Sequence, residues 1–233
     1  MFSGFSDETI QFFLDLKFHN NTEYFHSNHE RYVNEVQKYF YAMIDELGKD
    51  MLSIDPCMEI RPYKCLSRIH RDTRFTKDKS PYRDHLWLLF RKAGEARDKS
   101  LFYYFELGPD RLGWGMGFWN ENREAVDMFR KKILADPGGV LSLLDGMKLE
   151  KRKLILNGSI HRKMKVPDNI PDRLKRWYLI KDMYIAKEKP DYRMVFTDKI
   201  CQEVRKDFIC LAPLYKLLRG YADLSVNHNE SEE

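Results

Sequence analysis

The chain reads as an α+β protein, mainly an antiparallel sheet meander packed with N-terminal, central and C-terminal helices, and three observations predict it. Apolar residues recur at helical spacing near both ends of the chain and once in its middle. Between residues 58 and 119 the pattern changes to short apolar runs bounded by Pro, Gly and Asp. The links between the last three runs are short and rich in Lys, Gly, Pro and Asp, which suits a meander better than helical crossovers.

Each element follows from local chemistry. Ser6 is placed to cap a first helix carrying Ile10, Phe13, Leu14 and Lys17, and His19-Asn20-Asn21 breaks it. Ser27 with Glu30 three residues on reads as a capping box for a second helix. That helix puts Val33, Val36, Phe40, Ile44 and Leu47 on one face, with Gly48 as its stop. Strands are expected at 58–61, 66–70, 86–90, 101–107 and 112–119. Asn120 is the expected cap of a helix with Val126, Phe129 and Ile133, ended at Asp136-Pro137-Gly138-Gly139. A shorter turn of helix covers 140–144, and 154–156 and 184–186 read as strands among Pro-containing loops whose pairing the sequence leaves open. From Thr197 a last helix buries Ile200, Val204, Phe208, Leu211 and Leu218, with a kink expected at Pro213. One domain over 1–224 and a frayed polar tail over 225–233 are the economical division.

Composition narrows the class. The 233 residues carry 40 Lys plus Arg against 36 Asp plus Glu, so any positive field must come from clustering rather than from bulk charge. Cys57, Cys65, Cys201 and Cys210 are too widely spaced for a CxxC redox or zinc pattern and read as reduced structural thiols. The opening MFSGFSD meets acid at once and lacks the basic and apolar regions of a secretory signal, and no apolar run approaches a bilayer span. A cytoplasmic protein without a membrane partner is expected.

The most unusual segment is RIHRDTRFTKDKSPYR, residues 68–83. It holds Arg68, Arg71, Arg74, Lys77, Lys79 and Arg83 against only Asp72 and Asp78. A guanidinium is a rigid planar fork that grips carboxylate or phosphate through two parallel hydrogen bonds, so an anion pocket is the sharp reading. Alternation limits it: in an extended chain Arg68, His70, Asp72 and Arg74 share one face and Arg71, Thr73 and Phe75 the other. The bland reading has Asp72 and Asp78 pairing with neighbouring cations on a solvated loop.

This segment also carries a resemblance. With MFSGF, the stretch from Asn20-Asn21 to Phe25, and the run LGWGMGFW, it resembles a widespread microbial family of conserved hypothetical proteins, a domain of unknown function, over almost the whole chain. The resemblance implies a single α+β domain and a shared site around Arg68, Arg71, Asp72, Arg74, Phe75, Lys77, Lys79 and Tyr82. An aromatic is usual in that family at position 70 and a tryptophan at 24, where this chain has His70 and Tyr24.

Other constellations are weaker. Gly113, Gly115 and Gly117 alternate with larger residues, so they line one face of a strand rather than the turn of a dinucleotide fingerprint. Such a bare face admits another backbone, a helix or a ligand, which makes Gly115 and Gly117 candidate ligand neighbours. His26, His29 and Glu30 lack the HExxH spacing of a helical zinc site, so no metal is expected. There is no nucleophile elbow, SxxK pair or P-loop. Asp72 or Asp78 as a general base is disfavoured because adjacent cations lower a carboxylate's pKa.

The sequence therefore favours a small phosphate- or carboxylate-bearing ligand on the 68–83 segment, with any catalysis of unknown type. A scaffold role built on a salt-bridge network is the alternative. Nucleic-acid binding is the weakest of the three readings, resting on a second basic cluster at Lys148 to Lys153 with Arg162, Lys163 and Lys165. Cofactor, reaction and oligomeric state have no signature in the residues.

Overall fold

The computed structural model describes residues 2–96, 100–118 and 122–230, with side chains to residue 223. Five strands, β1 (Leu86–Arg91), β2 (Leu101–Gly108), β3 (Arg111–Phe118), β4 (Leu154–Asn157) and β5 (Tyr184–Lys187), form an antiparallel sheet in the order β1-β2-β3-β5-β4. The first three are the expected meander. The described chain divides into two compact units, the first being Met1–Phe90, Tyr104–Trp114 and Lys189–Lys206. The second is Arg91–Tyr103, Gly115–Glu188 and Asp207–Glu233.

In the first unit α1 (Asp7–Phe18) starts as expected, with the Ser6 side chain accepting from the Thr9 backbone N–H at 3.2 Å. Its buried face is Thr9, Phe12, Phe13 and Leu16, so the expected register through Ile10 and Leu14 is displaced. The bulky Phe12 and Phe13 take the inner positions, Phe12 lying 5.7 Å from the Tyr32 ring. Asn21 caps α2 (Thr22–Ser27), accepting from the Tyr24 N–H at 2.8 Å.

Two expectations about the next helix fail. Ser27 is the last residue of α2 and forms no capping box; Asn28 stands before α3 (His29–Tyr32) and turns its own amide back to the Tyr24 carbonyl at 2.9 Å. A π-helical turn, Val33–Gln37, leads into α4 (Lys38–Ile54), which runs through Gly48 instead of stopping there. Gly48 is buried in the helix interior, where a Cβ would meet Ile60 at 3.5 Å. Val36, Phe40, Ile44 and Leu47 are fully buried. Phe5 and Phe40 pack on Phe105 of β2 with ring centroids 5.9 and 6.3 Å away.

The expected strands at 58–61 and 66–70 are not strands either. Pro62 begins a helical turn, α5 (Pro62–Cys65), and the chain beyond it makes only single bridges, Leu66 with Leu88 and His70 with Tyr82. A 3-10 turn, Tyr192–Phe196, precedes α9 (Lys199–Glu230).

In the second unit Asn122 caps α6 (Arg123–Ala135), accepting from the Ala125 N–H at 3.1 Å. Asn120, the expected cap, and Trp119 lie outside the described residues. Asp136 both ends α6 and caps α7 (Pro137–Met147), whose first position is a proline. A further helix, α8 (Asp172–Leu179), occupies what reads in sequence as loop. β4 pairs with β5, and β5 with β3, in the register Gly115↔Ala186 and Gly117↔Tyr184. Asp207 of α9 is fully buried and binds Lys187 of β5 at 3.1 Å and Arg152 ahead of β4. All four cysteines are free, and burial pushes the Cys201 thiol up to about 12.

The alternating glycines of β3 serve this pairing. A Cβ on Gly115 would lie 1.8 Å from the Ile185 carbonyl oxygen, and one on Gly117 2.3 Å from the Tyr184 Cβ. The backbone of β5 fills the bare face. Gly115→Ala should therefore lower the free energy of unfolding by about 3 kcal/mol, read as a reduced urea midpoint, through overpacking against backbone. Gly113→Ala, with nothing within 4 Å of its added methyl, should leave the midpoint nearly unchanged. Equal midpoints for the two variants would refute this account.

Candidate functional site

The basic segment folds back on itself at the first unit's surface. Arg71 N–H donates to the Pro81 carbonyl and Arg83 N–H to the Ile69 carbonyl, both at 2.8 Å, so 69–71 and 81–83 form the two legs of a short hairpin. Asn20 completes it from the other side. Its amide nitrogen donates to the Tyr82 carbonyl at 3.0 Å and its oxygen accepts from the Tyr82 N–H at 2.9 Å. The Tyr82 ring is buried, stacked on Phe25 with centroids 4.2 Å apart.

Beyond this base the loop is internally bonded. Arg74 grips Asp72 with two hydrogen bonds, of 2.9 and 2.7 Å, and Arg71 pairs with Asp78. Asp78 also accepts from the Ser80 N–H at 2.9 Å and its hydroxyl at 2.6 Å, while Lys79 donates to the Thr73 carbonyl at 2.8 Å. The hydrogen bonds from Arg74, side chain then backbone, hold the Asp72 carboxyl down at about 2. The bonds from Ser80 and Arg71 put Asp78 well below the usual carboxylate range. Both aspartates are anions at neutral pH, bound to neighbouring donors.

A cleft of about 400 Å³ opens at the foot of this hairpin. Arg71, Asp78, Ser80, Tyr82 and Arg83 from the basic segment line it, joined by Lys17 from the last turn of α1, Asn20 after it, Asp84 and His85 ahead of β1, and Arg111 at the start of β3. The Arg83 guanidinium lies 4.7 Å over the Trp87 ring, which fixes its plane against an aromatic face. Lys17 reaches Asp110 at 2.9 Å, and Arg111 stands 3.6 Å from Glu106.

His85 is held between carboxylates. Its Nδ1 is 2.7 Å from Asp84 Oδ1 and its Nε2 3.5 Å from Glu106 Oε1, with the side chain only 15% exposed. Burial pushes the Asp84 carboxyl up, but the His85 hydrogen bond and charge, with Arg111, outweigh it and leave its pKa lowered. Gly108 makes room for the imidazole, since a Cβ there would lie 2.6 Å from the His85 Cβ.

The structure thus separates the residues that the sequence grouped. Arg71, Tyr82 and Arg83 line the cleft; Arg68, Asp72, Arg74, Phe75, Lys77 and Lys79 do not. Phe75 is 89% exposed at the loop tip, under the Arg74 guanidinium. Gly115 and Gly117 belong to the second unit and face β5. Sequence reasoning passes over Lys17, Asp84, His85 and Arg111 as site residues. The one local signal was the Asp-His pair directly after the basic block. Among the described residues no group of three or more His, Cys, Asp or Glu could hold a metal ion, and no helix is long and apolar enough to cross a membrane.

Replacing Asn20 by alanine removes both bonds to Tyr82 and should cost about 2 kcal/mol in a denaturant titration; a loss below about 0.5 kcal/mol would show the clamp to be incidental. The loop's ion pairs have a defined pH window. Because the Asp72 and Asp78 pKa values are depressed on folding, the ordering they supply is complete above the free aspartate value of about 4 and is lost as pH falls through their folded values. The Arg74 amide resonance should titrate with a midpoint at about pH 2, and the Ser80 amide at lower pH still. Midpoints at or above 4 would mean that the pairs do not hold in solution.

No curated protein and no solved structure matches this chain. A family model does: that of the conserved hypothetical proteins designated DUF2461 matches residues 8–217, a span that contains every residue lining the cleft, and the chain belongs to that family.

Proposed function

We propose that the chain binds a small phosphate- or carboxylate-bearing ligand in the first unit's cleft. The observation that carries this reading is the convergence of Lys17, Arg71, Arg83 and Arg111, from separate stretches of chain, on one concavity of about 400 Å³. A pocket of that size suits a small molecule. Arginines held rigidly by a stacked ring and by an ion pair lose little freedom on taking up an anion. Asn20 and Tyr82 set the wall from which Arg71 and Arg83 project. The loop tip over 72–80, with its own ion pairs, supplies the rigid frame, so the salt-bridge network and the binding cleft are parts of one device.

A second reading, proton transfer to or from the bound ligand, rests on His85. A carboxylate at Nδ1 orients the imidazole and selects its tautomer, which turns Nε2 toward the partner it serves. That nitrogen stands 3.5 Å from Glu106, so a ligand atom would meet it beside that carboxylate rather than between the two.

The test is a thermal-shift panel of phosphate esters, di- and tricarboxylates and inorganic phosphate at fixed ionic strength. A ligand present at about one hundred times its Kd should raise the midpoint by roughly 5 °C. Arg111→Ala and Arg83→Ala should each abolish most of that shift. The proposal fails if no anion exceeds matched sodium chloride, or if the shift survives both substitutions.

A further inference from the structure

The second unit holds a separate cationic surface. After β4 the chain passes Gly158, whose φ of +122° and whose approach to Asp182 leave no room for a side chain, a Cβ there lying 1.7 Å from the Asp182 carbonyl. Ser159 then binds the Asp182 carboxylate through its N–H at 2.7 Å and through its hydroxyl. Ile160 pairs with Ile180 in an antiparallel bridge, with His161 N–H donating to the Leu179 carbonyl at 2.8 Å and Lys181 N–H to the Ser159 carbonyl at 2.9 Å. In such a ladder the residues flanking the bridged pair share a face, so His161 and Lys181 project to the same side.

Helix α6 supplies the opposite wall. Arg123, Asp127 and Arg130 recur at helical spacing along one face. The Arg130 side chain is 10% exposed, its guanidinium bound to the Tyr178 carbonyl at 2.8 Å, the Ile180 carbonyl at 2.9 Å and the Asp127 carboxylate. Its one described carboxylate partner is 60% exposed, so a buried charge is offset mainly by a solvated one. Arg123 occupies the first position of α6, where the helix dipole disfavours a cation. Neither placement is what helix stability alone selects.

Two clefts, of about 260 and 500 Å³, meet on this surface and share His161 and Lys181. The first adds Arg123, Arg130 and Asp127, and the second Arg162 and Lys163. Among the described residues five Lys and Arg side chains line the pair, and the one described carboxylate with them, Asp127, is bound by Arg130. Among the described lining residues, which include no Phe, Tyr or Trp, the groups offered to a ligand are chiefly cationic, so recognition by them falls to charge. The adjoining clefts match an anion with more than one charged centre.

We propose that this surface binds an oligophosphate, a ligand with two or more linked phosphate groups. Arg123, Arg130 and Lys181 hold one phosphate, Arg162 and Lys163 the next, and His161 lies between them. The site is independent of the cleft around His85, and its cations belong to the second unit alone.

Isothermal titration of the full chain with tripolyphosphate, orthophosphate and a single-stranded dT oligonucleotide, at matched ionic strength, tests this. Tripolyphosphate should bind at least about tenfold more tightly than orthophosphate, a difference of about 1.4 kcal/mol. The double variant Lys163→Ala with Lys181→Ala should weaken tripolyphosphate binding by about tenfold or more while retaining the wild-type thermal midpoint. Arg83→Ala with Arg111→Ala should leave that binding intact, which separates this site from the first. The proposal is overturned by equal affinity for ortho- and tripolyphosphate, by tripolyphosphate binding that ignores the double variant, or by oligonucleotide binding in the absence of tripolyphosphate binding.

Discussion

The side-chain amide of Asn20 does for Tyr82 what a neighbouring strand would do. It gives one hydrogen bond and takes one from the same residue's backbone, in the pattern of an antiparallel ladder. The hairpin of 69–71 and 81–83 is thereby bonded on both sides although it joins the sheet through no strand of its own. Tyr82 can then bury its ring on Phe25, and the loop leaves and re-enters the first unit at fixed points. The positions of Arg71 and Arg83 relative to Lys17, three residues before the clamp, follow from it. One polar side chain in a helix–helix turn thus sets the geometry of the cleft wall.

Much of this was legible in the sequence. The meander, the Ser6 cap, the strands β4 and β5 and the buried face of α9 follow from periodicity and capping chemistry. Failures have specific causes. A capping box needs its serine outside the preceding helix, and Ser27 is already the last residue of α2. Gly48 reads as a stop only while the Ile60 side chain that it accommodates is out of view. Within the basic block the period-two argument holds as far as Arg71, with Ile69 buried while Arg68 and His70 are exposed, and then a turn at Arg74-Phe75 ends the extended run. Lys17, His85 and Arg111 could not be grouped beforehand, because only the fold brings α1, the entry to β1 and the start of β3 to one cleft.

The two cationic surfaces differ in how their charge is balanced. Around the first cleft Lys17, Arg71 and Arg111 each stand beside a described carboxylate, so the local field is tempered. On the second surface five cations and one carboxylate are the charged groups among the described residues lining two clefts, and a buried guanidinium contributes to the field from beneath. With a net charge of only +4 over the chain, each of these fields is a local product of clustering. On the proposed readings, affinity at the second should fall more steeply as salt is added.

The closed bonding of the loop over 71–80 has a bearing on rates. Rotamers of Arg71, Arg74 and Lys79 are already restricted by Asp78, Asp72 and the Thr73 carbonyl, so that part of the ordering entropy is spent during folding. A ligand meeting the cleft wall finds Arg71 prearranged instead of recruiting it from a mobile strand. For the ligand proposed above, association there would be governed by encounter and desolvation rather than by loop closure, with residence time tuning affinity.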